Sequence, residues 1–235
     1  MTTEELFRSD SYLSSCEAVV TAADESGVQL DRTVFYPTGG GQPGDTGSLS
    51  AGGESWVVTE ARKAPDGGVL HLLQPGSAPP AVGTKVTATI DWERRHRLMR
   101  MHSCLHLLCA IVPEGVTGGS VGDGKGRLDF DMGEAALDKA AVEDALNALI
   151  RKNAPVAARW IADEELAAQP ELVRTMSVKP PTGFGQVRLL EIEGVDLQPC
   201  GGTHIRATGE IGPVRVEKIE SKGKRNRRVT VVFAE

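Results

Sequence analysis

Four side chains in this sequence have the types and spacing of a metal site. His102 and His106 stand as H-x3-H, and about a hundred residues further on Cys200 and His204 stand as C-x3-H. The chain has five histidines, and three of them fall in this set. Three imidazoles and a thiolate are the donors that a tetrahedral Zn2+ takes. The element that must hold the first pair is legible. From Asp91 to Val112 the residues Leu98, Met101, Leu105, Leu108 and Val112 recur at intervals of three or four, with Asp91 as N-cap and Pro113 beyond the end. On such a helix His102 and His106 lie one turn apart on one face, within reach of a single ion. In the second pair, Gly201-Gly202 is a step permissive enough to fold Cys200 and His204 around that ion.

Each half alone is a weak signal. Together they specify one metal ion or, without metal, a hydrogen-bonded cluster. Ser103 follows His102, so the glutamate base of the H-E-x-x-H peptidases is missing. Four protein ligands also suit a closed structural zinc with no place for water. Catalytic use then requires five-coordination, or loss of a ligand when substrate arrives.

Other motifs surround this set. Phe35 to Gly47 reads FYPTGGGQPGDTG, Gly119-Ser120 precedes Arg127-Leu128-Asp129-Phe130, and Gly209 to Gly212 and Lys222 to Arg228 close the series. With the four ligands, in this order from about residue 30 to 230, they resemble the editing domain of alanyl-tRNA synthetases. The resemblance is closest to the stand-alone alanyl-tRNA editing proteins. It implies a zinc-dependent hydrolase that deacylates mischarged tRNA(Ala), with Ser-tRNA(Ala) the family's usual substrate and Gly-tRNA(Ala) a second one in its longer forms. It also implies that the glycine-rich loop, with Gly39, Gly40, Gly41 and Gln42, helps to place the tRNA end. From residue chemistry alone that loop is equally a tight turn, since it has neither the P-loop nor the dinucleotide pattern. The family often has Thr where Ser103 stands and usually Ala where Cys104 stands, and synthetase relatives carry Gln where Thr117 stands.

An aminoacyl ester is already activated, so hydrolysis needs a placed water and a stabilised oxyanion. Zinc on His102, His106, Cys200 and His204 would either polarise that water or anchor the substrate's amino and hydroxyl groups. Thiolate donation weakens a Lewis acid and favours anchoring. Hydroxyls of Ser103, Thr117 or Thr203 can tell serine from alanine. Asp196 is a candidate acceptor for a ligand N–H, or a turn residue after Gly194-Val195. Arg127 either contacts RNA or pairs with Asp129. The alternative to an enzyme is a zinc-containing module that binds RNA or a synthetase without catalysis; a hydrolase of another small ester or amide is a third reading.

Composition sets the limits. At 235 residues there is room for one large domain or two small ones. No run is apolar enough to span a bilayer, no signal peptide follows Met1, and the four cysteines have no disulfide spacing; a reducing cytosol fits. The net charge of −6 speaks against general nucleic-acid binding. Basic residues are nonetheless concentrated at Arg94–Arg100 and Arg215–Arg228, local strips to which a polyanion can bind. With no ATP motif and no room for an aminoacylation domain, correction in trans is expected.

The fold class expected is α+β. Residues 1–90 read as a small β-barrel, with runs at Cys16–Ala22, Thr33–Tyr36, Ser55–Ala61, Val69–Leu73 and Lys85–Ile90 and a hairpin turn at Asp66-Gly67-Gly68. Residues 91–235 read as an α+β domain with a largely antiparallel sheet. Helices are expected at Glu134–Asn153 and Asp163–Gln169, and strands at Gly126–Asp131, Val156–Ile161, Gln186–Glu193, Val214–Ile219 and Arg228–Phe233.

Overall fold

A computed structural model describes residues 3–65, 67–133, 135–176, 183 and 185–234. The fold is α+β, and the chain divides into two compact units, Met1–Arg97 and Leu98–Glu235.

The first unit contains β1 (Glu4–Glu5), β2 (Ser15–Asp24), β3 (Gly27–Leu30), β4 (Arg32–Thr33), β5 (Gly47–Ala51), β6 (Glu54–Lys63), β7 (Val69–Leu73) and β8 (Lys85–Ile90). Six of them close an antiparallel barrel in the order β2-β3-β7-β6-β5-β8. The two-residue period does this: β8 buries Val86, Ala88 and Ile90 and leaves the residues between them more exposed. Leu30, Phe35, Leu49, Val58 and Val69 complete the interior.

Two sequence expectations need correction. Thr33–Tyr36 is not a strand of the barrel. Only Arg32–Thr33 is strand, paired in parallel with β1, and the Tyr36 N–H goes to the Asp45 carboxylate at 2.6 Å rather than to a neighbouring strand. Strands β3 and β5 have no counterpart among the expected runs, since each opens on a glycine that reads as turn punctuation. At Gly47 the reason for glycine is close approach: a Cβ there would lie 2.1 Å from the Thr89 carbonyl oxygen. Of the expected hairpin turn, Asp66 lies outside the described residues.

Two buried polar groups organise this unit. Arg95 is fully buried and pairs with the equally buried Asp45 carboxylate, while it also donates to the carbonyls of Ser11 and Val34. Inside the barrel His71 Nδ1 lies 2.9 Å from the Val28 carbonyl and Nε2 lies 2.8 Å from the Thr33 hydroxyl. Burial pushes this imidazole down to about 4, so it is neutral and Nδ1 carries the proton. The Gly39–Gln42 loop is a tight turn. Gly39 and Gln42 exchange backbone hydrogen bonds at 3.0 and 2.9 Å, with Gly40 and Gly41 at φ 58° and 82°.

Helix α1 (Trp92–Ile111) follows, capped by Asp91 Oδ1, which accepts from Arg94 N–H at 3.1 Å. From Leu98 to Cys109 nearly every residue is buried, the pattern of a core helix. The second unit adds β9 (Val116–Val121), β10 (Lys125–Asp131), α2 (Lys139–Arg151), β11 (Val156–Ala162), α3 (Asp163–Ala167), β12 (Gln186–Ile192), β13 (Asp196–Pro199), β14 (Val214–Lys222) and β15 (Asn226–Phe233). One antiparallel sheet runs β14-β15-β10-β9 and another β11-β12-β13. Gly126 of β10 lies against α1, where an added Cβ would meet Met101 Cγ at 2.8 Å.

The expected helix Glu134–Asn153 begins instead at Lys139. Asp138 caps it by accepting from Ala141 N–H at 2.8 Å, so Ala135 and Ala136 precede the helix, and Glu134 lies outside the described residues. Val142, Leu146 and Ile150 form its buried stripe. The helix expected at Asp163–Gln169 stops at Ala167 and gives way to a 3-10 turn at Pro170–Leu172, where proline cannot continue the ladder. Strands β9 and β13 also lie outside the expected runs.

Candidate metal centre

All four expected ligands lie in the second unit. α1 carries His102 and His106, while Cys200 and His204 lie just past β13. One nitrogen or sulfur atom from each comes together so that all four lie within 4.8 Å of one another. Cys200 Sγ is 3.6 Å from His102 Nε2 and 3.2 Å from His204 Nε2. A tetrahedral zinc, with Zn–S of about 2.3 Å and Zn–N of about 2.0–2.1 Å, sets sulfur and nitrogen donors roughly 3.5 Å apart. The donor set therefore suits such an ion in type and number, and the two sulfur–nitrogen distances lie on either side of that spacing.

The outer ring nitrogens of His106 and His204 have partners of the kind that orient metal ligands. His106 Nδ1 is 2.9 Å from Asp196 Oδ2, which also accepts from Gln198 Nε2 at 2.7 Å. His204 Nδ1 is 3.1 Å from the Ser103 hydroxyl. These bonds leave Nε2 of both rings facing the cluster. Burial opposes ionisation of Cys200, but His102 and His204 beside it outweigh that and bring the thiol well below its usual range. For His106 burial is likewise outweighed, by Asp196 and Cys200, and its imidazole is raised to about 10. Burial, then the neighbouring His102, hold His204 well below the ordinary imidazole range. A thiolate among imidazoles is the state that a cation would take up, displacing protons. By contrast, burial pushes Cys104 and Cys109 up to about 12 and leaves them inert thiols.

His102, His106 and His204 are 8, 6 and 5% exposed, whereas Cys200 is half-buried and Gly201 exposed. The Cys200-Gly201 segment is thus the more exposed of the stretches that carry the four donors. Ser103 and Thr203 are fully buried. Thr117 on β9 and Arg127 on β10 are half-buried; the Thr117 hydroxyl donates to the Asp129 carbonyl at 3.2 Å, and Arg127 pairs with Asp129 at 2.9 Å. Arg228 grips the same carboxylate at 2.7 and 2.8 Å, and this pair together with Arg127 outweighs partial burial and lowers the Asp129 carboxyl. Gly39, Gly40, Gly41 and Gln42 form the turn of the first unit, with the Gln42 side chain buried. Sequence reasoning passed over Arg188 and Gln198. Gln198 adjoins the ligand motif, whereas nothing in the sequence distinguishes Arg188 from any other strand arginine.

Comparison with known proteins gives the class first. Residues 187–230 match the family model described as threonyl and alanyl tRNA synthetase second additional domain. Residues 8–94 match that of tRNA synthetases class II (A). The class is that of modules shared with the class II tRNA synthetases. The chain is 37% identical to alanyl-tRNA editing protein AlaX-M of Methanosarcina acetivorans and 36% identical to that of Saccharolobus solfataricus, covering 97% of both chains in each case. It is 35% identical to the alanine–tRNA ligase of Pyrobaculum neutrophilum over 93% of its own length and 25% of that enzyme. The chain belongs to the family of alanyl-tRNA editing proteins.

Proposed function

We propose that this protein is a zinc-dependent aminoacyl-tRNA deacylase that removes serine from mischarged tRNA(Ala), with Gly-tRNA(Ala) as a second candidate substrate. The observation that carries this reading is the convergence of His102, His106, Cys200 and His204 within 4.8 Å, in a chain whose relatives are named for alanyl-tRNA editing. A zinc ion held there supplies a Lewis acid and an anchoring point for the amino and hydroxyl groups of the aminoacyl ester. Asp196 and Ser103 fix the His106 and His204 rings. The half-buried Cys200 and exposed Gly201 form the side of the site to which we assign the approach of the aminoacyl end.

Discrimination is the harder task. A site built to hydrogen-bond a hydroxyl rejects the analogue lacking it by ~10^4. We assign that contact to hydroxyls of Ser103, Thr117 or Thr203, and assign Arg127 and the Gly39–Gln42 turn to the tRNA. Lys222, Lys224, Arg225 and Asn226 edge a shallow depression with Asp131 as its acidic member, a basic spot in an acidic chain suited to phosphate. One observation favours a second reading, a non-catalytic module binding RNA or a synthetase: four protein donors already saturate a tetrahedral ion.

Incubation with Ser-, Gly- and Ala-charged tRNA(Ala) separates these readings. Loss of Ser and survival of Ala is expected, and loss of Gly would require that the site excludes the alanine methyl. Equal loss of all three removes proofreading, and loss of none favours the binding module.

A further inference from the structure

Where β12 and β13 stop pairing, a side chain takes over the work of the ladder. The last register pair is Leu189 with Pro199, so Cys200 lies just beyond regular strand geometry. Arg188, on β12, is 7% exposed, and an arginine so deeply buried needs strong polar contacts. Its Nη1 donates to the Cys200 carbonyl at 2.8 Å and to the Gly202 carbonyl at 3.0 Å. Its own backbone carbonyl accepts from Cys200 N–H at 3.1 Å. Two carbonyls two residues apart, aimed at one nitrogen, bend the chain between them. That bend lies within the C-x3-H segment, where Cys200 Sγ and His204 Nε2 come to 3.2 Å from each other. Bonds from a charged donor are roughly twice as strong as neutral ones.

The geometry points to Arg188 as the positioning residue of the cysteine half-site: by gripping the Cys200 and Gly202 carbonyls it holds the turn in which both donors face the ion. It acts through the ligands and not on substrate. A ligand turn left without this grip must be ordered by the metal itself, at the expense of metal affinity. This inference rests on the metal reading of the cluster.

The test uses the full chain, stripped of metal and titrated with Co2+, in wild-type, R188M, R188Q, R188K and R159A forms. Arg159 is an exposed control on the neighbouring strand β11. Wild type and R159A should bind one equivalent of Co2+ with a thiolate-to-cobalt absorption band. R188M and R188Q should bind it ~10- to 100-fold more weakly with a diminished band, the range found for residues that orient metal ligands. R188K should recover part of the loss, because one ammonium can also donate to both carbonyls. Should R188M not fold, R188Q carries the comparison. A folded neutral variant with wild-type cobalt affinity and band overturns the inference, even if its urea midpoint falls. A wild-type chain without the thiolate band overturns the metal reading instead.

Discussion

Replacing Asp196 tests whether the cluster is built for a metal ion. Asp196 Oδ2 lies 2.9 Å from His106 Nδ1, and the two side chains are 4% and 8% exposed. A hydrogen bond to a charged group contributes about 1.5–3 kcal/mol, and in this site it orients a ring whose other nitrogen faces Cys200. In D196N the shape and one acceptor oxygen remain while the charge is lost, so the lower end applies: about tenfold weaker Zn2+ binding, or ~1.4 kcal/mol. In D196A both His106 Nδ1 and Gln198 Nε2 lose their acceptor. A stranded buried donor costs about 1–3 kcal/mol, and the loss should approach a hundredfold. Competition of each variant against a chromophoric chelator at pH 7 gives the affinity directly. D196A binding zinc within twofold of wild type would refute the reasoning, since His106 would then need no orientation to act as a ligand.

Removing Arg95 while keeping its volume, as in R95M, should cost about 3–5 kcal/mol in urea unfolding, because the Asp45 carboxylate stays buried without its cation; a cost under 1 kcal/mol would show the pair to be dispensable. His71 is neutral and lowered to about 4 in the fold, so the unfolded chain binds the extra proton between about pH 6.5 and 4. Stability from this group is complete above pH 6.5 and lost as pH falls toward 4, by about 3 kcal/mol. The pH profile of H71Q should be flatter than wild type by that amount, and identical profiles would contradict the assignment. The K222Q/K224Q double variant should bind tRNA(Ala) more weakly with a salt slope reduced by about two, its rate at saturating tRNA unchanged; an unaltered slope would place the RNA elsewhere.

How far the sequence can be read depends on whether a feature repeats locally. The α1 pattern is legible because large apolar residues recur with the 3.6-residue period at Leu98, Met101, Leu105 and Leu108, and the histidine pair comes with it, although burial there extends to nearly every residue from Leu98 to Cys109. Strands β7 and β8 are legible to the residue, β7 from its apolar run and β8 from its two-residue alternation. Strand β5 is not, because Gly47 reads as a turn until the Thr89 carbonyl is seen beside it. The start of α2 is misplaced from sequence because Ala135 and Ala136 suit a helix while the Asp138 cap settles its first turn. Least legible are pairings across long stretches of chain, such as Arg95 with Asp45. The grip of Arg188 on two carbonyls has no sequence signature, since every residue but its own could supply them.

The most direct test is a zinc titration. Protein stripped by chelation is returned stepwise to Zn2+, and deacylation of Ser-tRNA(Ala) is followed beside Ala-tRNA(Ala). Expected is no activity without metal, a rise that saturates at one zinc per chain, and Ala-tRNA(Ala) left intact throughout. Full Ser-tRNA(Ala) deacylation by metal-free protein would contradict a catalytic metal held by His102, His106, Cys200 and His204.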